Sequence, residues 1–210
     1  MYIIGASGFG REVLAWANDI PQTQRDWEPV GFLDDDPEAL RAAPTYLKVV
    51  GSVWDFSFEA NALAVIAIGK PSLKKRIAEH CQGKVQFATI IHPRAVVGPY
   101  CHVGQGCILC PYSVLTTNVV VGDHVLVNLA ASLGHDVRIG DFCTINCHAD
   151  VTGNVVLEEG VYLSSHVSIL PSARVEAFAY VGAGSIVLRR VRAGTVVFGA
   201  PTKKIGDVKS

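Results

Sequence analysis

From Val85 to Val187 every sixth residue is Val, Ile or Leu: Val85, Ile91, Val97, Val103, Leu109, Leu115 and onward without a gap. Four places further on in each hexad stands a small or β-branched residue, from Thr89, Ala95, Cys101 and Cys107 to Ser185 and Val191. A period of six suits neither an amphipathic helix (3.6) nor an alternating strand (2). It suits short strands joined by sharp bends, with a large aliphatic pointing inward and a small residue filling each corner. Three hexads then make one triangular coil of 18 residues, coils stack at the inter-strand spacing of about 4.8 Å, and residues 18 apart lie above one another. Gly98, Gly104, Gly122, Gly134, Gly140 and Gly182 directly follow an inward aliphatic, where a bend with φ > 0 is expected.

Residues 1–84 follow another rhythm. Tyr2–Ala6, Val30–Leu33 and Leu63–Ile68 read as strands; helices are predicted over Arg11 to about Asp19 and after Gly69-Lys70-Pro71-Ser72, through Arg76 and His80. Strand, glycine turn, helix and strand again make a small parallel α/β unit. Its turn, Gly5-Ala6-Ser7-Gly8-Phe9-Gly10, aims backbone N–H groups at an anion, although a turn that merely packs helix on strand has the same sequence. The first reading makes 1–84 a nucleotide-diphosphate site built on the glycine turn with Gly8 and Gly10. The carboxylates of Asp34 and Asp35 would reach the base or ribose, with Lys70 or Ser72 nearby. The solenoid is expected over 85–192 and a C-terminal turn and tail over 193–210.

Composition excludes more than it identifies. With 18 basic and 19 acidic residues the net charge is −1, so neither nucleic acid nor an anionic membrane is indicated as a partner. The first residues lack the basic and apolar regions of a signal peptide, and the longest apolar stretch, Ala62–Ile68, is far short of a membrane span. A cytoplasmic protein is expected. Cys101, Cys107 and Cys143 fall in the small-residue column and read as core thiols; Cys107 and Cys110 form one CxxC without a second pair, a weak zinc signal.

Among seven histidines, His135 stands out. It faces outward in Leu133-Gly134-His135-Asp136, where Gly134 permits close backbone approach and Asp136 can orient the ring or balance its charge. Gly153 lies 18 residues on, so bare backbone is predicted directly over the ring. His148 and His166 are also 18 apart, but Ala130 and Gly184 occupy the same column, leaving no third metal ligand there. His80 is expected on a helix, His92 at the domain junction, and His102 and His124 isolated on the surface of the repeat.

The hexads resemble the left-handed parallel β-helix of the hexapeptide-repeat acyltransferases. With Gly5-Ala6-Ser7-Gly8-Phe9-Gly10-Arg11-Glu12 and Gly69-Lys70-Pro71-Ser72 before them, the chain looks like the bacterial sugar acetyltransferases of the sialic-acid O-acetyltransferase type. Close relatives of that type N-acetylate UDP- or GDP-linked 4-amino sugars for surface polysaccharides and glycans. The resemblance implies acetyl-CoA as co-substrate, no metal, and a homotrimer. It places the catalytic histidine on His135, its acidic helper on Asp136, the oxyanion glycine on Gly153 and an active-site asparagine on Asn128. It puts Gly199, Ala200, Pro201, Lys203 and Lys204 in the coenzyme groove with Gly153. The resemblance also implies that Phe9 touches the sugar nucleotide, at a position where many members carry His; they often have a second His where this chain has Thr144, and usually Ala at Thr202. The alternatives are a sugar O-acetyltransferase, a zinc carbonic anhydrase on the same solenoid, and a non-catalytic scaffold. Ile90, Val96, Ile108, Val114, Val120 and Leu126 end the early hexads and are expected to form an outward apolar stripe. That stripe should pack partly on the N-terminal domain and partly on a neighbouring subunit.

Overall fold

A computed structural model describes residues 1–43 and 45–208. The N-terminal unit contains β1 (Tyr2–Ile4), α1 (Gly8–Asp19), β2 (Gly31–Leu33), β3 (Val49–Gly51), β4 (Leu63–Ile66), α2 (Pro71–Cys81) and β5 (Gln86–Phe87). Its five strands form one parallel sheet in the order β3-β2-β1-β4-β5. Side chains alternate across it: Ile3 joins the cluster holding Val13, Trp16 and Ala17 of α1, and Ile4 joins the one holding Ile77, Ala78 and Cys81 of α2. Pro71 opens α2 at a position whose N–H has no helical partner anyway. The hexad column begins at Val85, yet Gln86–Phe87 pairs with Leu63–Ala64, so by pairing the first hexad completes the α/β sheet.

Two-residue strands then recur every six residues from Ile90–Ile91 to Ile186–Val187, stacked in parallel as three sheets. This is a parallel β-solenoid behind an α/β domain, as the periodicity predicts. Both inward columns are buried from Leu109 and Cys107 upward and form one continuous cluster. The lowest coil is the exception: Ile91 and Val97 are 39% and 40% exposed, because nothing stacks beneath them.

Corner geometry corrects one expectation. The glycines that follow the aliphatic are not the residues with positive φ. Every sixth residue from Tyr100 to Gly184, two places later in each hexad, has φ between +53° and +67°. Glycine fills that place only at 106, 160 and 184; Tyr, Phe, His, Ala, Asn, Asp and Ser fill the rest. Left-handed backbone is costly for such residues, and coil stacking is what holds it. From Asn118 onward each corner donates its N–H to the carbonyl 19 residues earlier. The earlier glycine instead permits coils to approach: a Cβ on Gly140 would stand 2.7 Å from the Glu159 nitrogen.

The α/β domain sits on one solenoid face. Ile90, Ile108 and Leu126 are buried in the cluster of α1, whereas Val96 is 54% exposed and Val114 and Val120 are half-buried. The apolar stripe therefore divides, one column covered by the N-terminal domain and the others open. Lys74 of α2 bridges the two units. It is 1% exposed and donates to the carbonyls of His124 (3.0 Å) and Cys143 (2.9 Å), while Thr144 Oγ1 donates to Gly69 O (2.7 Å).

Candidate active site

His135 follows the strand Ser132–Leu133 at a corner. Its backbone is fixed from both sides: His135 O accepts from Asn154 N at 2.9 Å, and Asp136 N donates to Thr117 O at 3.1 Å. Asp136 is one of the left-handed corner residues, φ +61°, a conformation Asp tolerates better than most. Its Oδ2 lies 2.8 Å from His135 Nδ1. A proton on Nδ1 directed at that carboxylate leaves the Nε2 lone pair free, the form a general base requires.

Gly153 is stacked on the ring, as the 18-residue spacing predicts. A Cβ there would stand 2.5 Å from both Cε1 and Nε2 of His135. Gly153 is a buried residue, and its N–H finds no protein acceptor among the described residues. Gly134 clears the approach to that amide, since a Cβ on it would stand 2.8 Å from the Gly153 nitrogen. Two glycines on adjacent coils thus leave room for a lone pair and an N–H donor side by side. Asn128 is not joined to this pair by a hydrogen bond; its Oδ1 accepts from Leu129 N at 2.7 Å. Sequence spacing did not single out Asp150, which accepts from Ser132 Oγ at 2.5 Å on the same face.

The turn at Gly199 is placed to continue that face. Gly199 has φ +106° and donates to Ser185 Oγ (3.0 Å); Ile186 N donates to Gly199 O (3.0 Å) and Thr202 N to Ile186 O (3.1 Å). Gly199, Ala200 and Pro201 therefore cap the sheet that carries Leu133, Val151 and Ile169. The turn is four steps above His135, roughly 19 Å at the inter-strand spacing. Lys203 is exposed, whereas Lys204 is ion-paired with Asp207 at 2.6 Å. Lys204 also lines a cleft of about 160 Å³ with Arg190, Arg192 and Thr202. The two arginines carried no sequence signal, since outward Arg is ordinary on a solvated face.

At the carboxyl ends of β1, β2 and β4 lies a second cleft, about 190 Å³, lined by Gly5, Ser7, Asp34, Asp35, Trp54, Ile68, Leu73 and Ile77 among others. Of the residues assigned to a nucleotide, Asp34 and Asp35 line it. Phe9 does not: its ring packs on Trp16, centroids 5.9 Å apart, in the core shared with the solenoid. Lys70 precedes α2 and lines a different cleft of about 410 Å³ with Tyr162, Phe178 and Tyr180. Gly10 has a packing role, because a Cβ would run into the Gly5 carbonyl, while Gly8 is unobstructed.

The remaining histidines separate clearly. His148 and His166 stack at 4.9 Å as the spacing predicts, and among the described residues no group of three or more His, Cys, Asp or Glu could hold a metal ion. His92 bridges Asp19 Oδ2 (3.1 Å) and Arg94 N (3.0 Å). The surface reading of His124 is corrected: it is 5% exposed, stacked on Phe142 with its Nδ1 unpartnered, and desolvation lowers its pKa to about 4. Desolvation likewise lowers Lys74 to about 7 and raises the Cys107 and Cys143 thiols to about 12. Lys74 was legible only as a misplaced charge, standing among Pro71, Ile77, Ala78 and Cys81 on the buried face of α2.

No curated protein matches the sequence significantly. Among solved structures, the acetyltransferase domain of PglB from Neisseria gonorrhoeae FA1090 in complex with acetyl coenzyme A is 27% identical, with a TM-score of 0.85 over 97% of this chain and 98% of that one. WeeI from Acinetobacter baumannii AYE is 26% identical, TM-score 0.82, over the same shares. PerB from Caulobacter crescentus, solved with CoA and GDP-perosamine, shares the fold at 24% identity and TM-score 0.87, over 98% of this chain and 96% of that one. Residues 1–81 match the family model of the PglD N-terminal domain.

Proposed function

We propose that the protein transfers the acetyl group of acetyl-CoA to the amino group of a nucleotide-linked amino sugar. The observation that carries this reading is the juxtaposition of a free His135 Nε2 with an unpaired Gly153 N–H. Nε2 accepts a proton from the neutral amine as its lone pair attacks the thioester carbon. The tetrahedral oxyanion sits at the Gly153 N–H, which strengthens its bond as charge develops. Collapse breaks the carbon–sulfur bond, and the proton held by His135 passes to the departing thiolate. Asp136 fixes the tautomer and balances the imidazolium.

The acyl donor is supported by the likeness to the PglB acetyltransferase domain, itself solved with acetyl coenzyme A. Support for the acceptor comes from the cleft at the carboxyl ends of a parallel sheet, the usual place for ligands in α/β units, in a domain that matches the PglD N-terminal model. A UDP- or GDP-linked 4-amino sugar fits this reading, within surface-polysaccharide or glycan synthesis in the cytoplasm. A homotrimer is its expected assembly.

The deciding experiment incubates the protein with acetyl-CoA and a panel of UDP-, dTDP- and GDP-4-amino sugars beside their 4-hydroxy counterparts, following thiol release and product mass. Thiol release with an amino sugar, and a product heavier by one acetyl group, is expected. Turnover confined to the hydroxyl series would overturn the acceptor; no turnover with any member would overturn the transferase.

A further inference from the structure

The carboxylates that end β2 are already engaged. Asp34 accepts from Ala6 N (2.7 Å) and Asp36 N (3.0 Å), and Asp35 accepts from Ser52 Oγ (2.5 Å) and Trp54 Nε1 (3.1 Å). The bond to the indole has a directional consequence. Indole N–H is a donor only, so an acceptor anchored at the end of β2 sets the ring's angle. Two groups of α2 hold the same ring. His80 meets it edge-on with centroids 5.1 Å apart, and the Arg76 guanidinium lies 5.5 Å from its centroid. Trp54 is nonetheless only half-buried, and it lines the cleft beside Asp34, Ile68 and Leu73.

Burial alone does not account for this arrangement, because a large aromatic ring contributes most when fully covered. What fits a fixed, half-open indole lining a cleft is a flat aromatic group that stacks on its open surface. We infer that Trp54 is the platform on which the nucleobase stacks, and that Asp35 is a positioning residue that sets the ring's angle rather than a ligand of the nucleotide. The inference rests on the nucleotide-sugar reading above. Because stacking tolerates any base, the platform itself does not choose among uracil, thymine and guanine.

The test uses the whole chain, with UDP, dTDP and GDP as probes, read by calorimetry and by tryptophan fluorescence. At least one nucleotide should bind and quench the emission. Trp54→Ala should weaken that binding about 5- to 150-fold, the span of one base–aromatic stack. Trp54→Phe keeps a stacking face but loses the bond to Asp35, so it should lose the quench and weaken binding about as much as Asp35→Ala, and less than Trp54→Ala. Asp35→Asn retains an amide oxygen for Nε1 and should stay within about threefold of wild type, whereas Asp35→Ala should weaken binding further. In turnover, Trp54→Ala should raise the KM for the sugar nucleotide and leave that for acetyl-CoA unchanged, which also checks that the solenoid is intact. If Trp54→Ala does not fold, Trp54→Phe and the Asp35 pair carry the test.

Equal nucleotide affinity in wild type and Trp54→Ala would overturn the platform while leaving the nucleotide reading standing. Failure of the wild type to bind any of the three probes would remove that reading itself. If Asp35→Asn is as damaging as Asp35→Ala, the carboxylate touches the nucleotide directly and its positioning role is wrong.

Discussion

In the proposed reaction His135 and Gly153 act as one unit, and substitutions at either should reveal it. His135→Ala removes the base and should lower kcat about 10²–10⁴-fold, with the KM for acetyl-CoA little changed. Asp136→Asn should be milder, since an amide still orients the ring but no longer balances an imidazolium. Gly153→Ala is the more discriminating change. A Cβ 2.5 Å from the ring displaces the base without removing it. Steady-state kinetics should therefore show a loss approaching that of His135→Ala, and normal activity in the alanine variant would refute the stacked geometry. His148→Ala and His166→Ala, in a stacked pair with no described metal group, should stay within a few-fold of wild type.

Helix α2 joins the cleft at Asp34 to the solenoid, through Leu73 and Ile77 on one side and Lys74 on the other. Its buried ammonium gives the junction a pH signature. Lys74 holds its proton less tightly folded, near 7, than unfolded, near 10.5. Between those values the unfolded chain binds more protons, so stability rises with pH, by at most about 1.4 kcal/mol per unit. Cys107 and Cys143 act oppositely, because thiols raised from 9 to about 12 favour the folded state less as pH climbs through that range. On the acid side, lowering of His124 to about 4 makes stability rise from there to its unfolded value of 6.5. Denaturation midpoints should therefore increase from pH 7 towards 9 and fall beyond it, and Lys74→Met should abolish the increase. A rise that persists in Lys74→Met would assign it elsewhere. This junction was the least legible part of the sequence. The inward columns announce the solenoid because each position repeats one environment, and His135 and Gly153 are found by the same count of 18. Lys74 and the burial of His124 depend on how two unlike units dock, and no period records that. The carboxylates of Asp34 and Asp35 look available in sequence because their partners Ala6, Ser52 and Trp54 lie on other loops.

At the scale of the molecule, the N-terminal domain covers one column of the apolar stripe and leaves Val96 and Val114 open. That face, below Ser132 in the same sheet, is where a neighbouring subunit is expected. Light scattering at micromolar concentration should report a trimer, and Val96→Glu with Val114→Glu should yield monomers; a wild-type monomer would count against the assembly. The corner ladder carries a different implication, for how such a chain can lengthen. Its hydrogen bonds join each corner to a carbonyl 19 residues earlier, so the solenoid behaves as a screw indexed in thirds of a turn. Inserting one hexad after Gly153 would leave every inward column intact yet rotate all later residues by one face. The turn at Gly199 would then be carried away from the sheet of His135. Inserting three hexads restores the indexing and only moves that turn upward by one coil. Viable growth of this molecule is therefore quantised in units of 18 residues, although its folding code repeats every six.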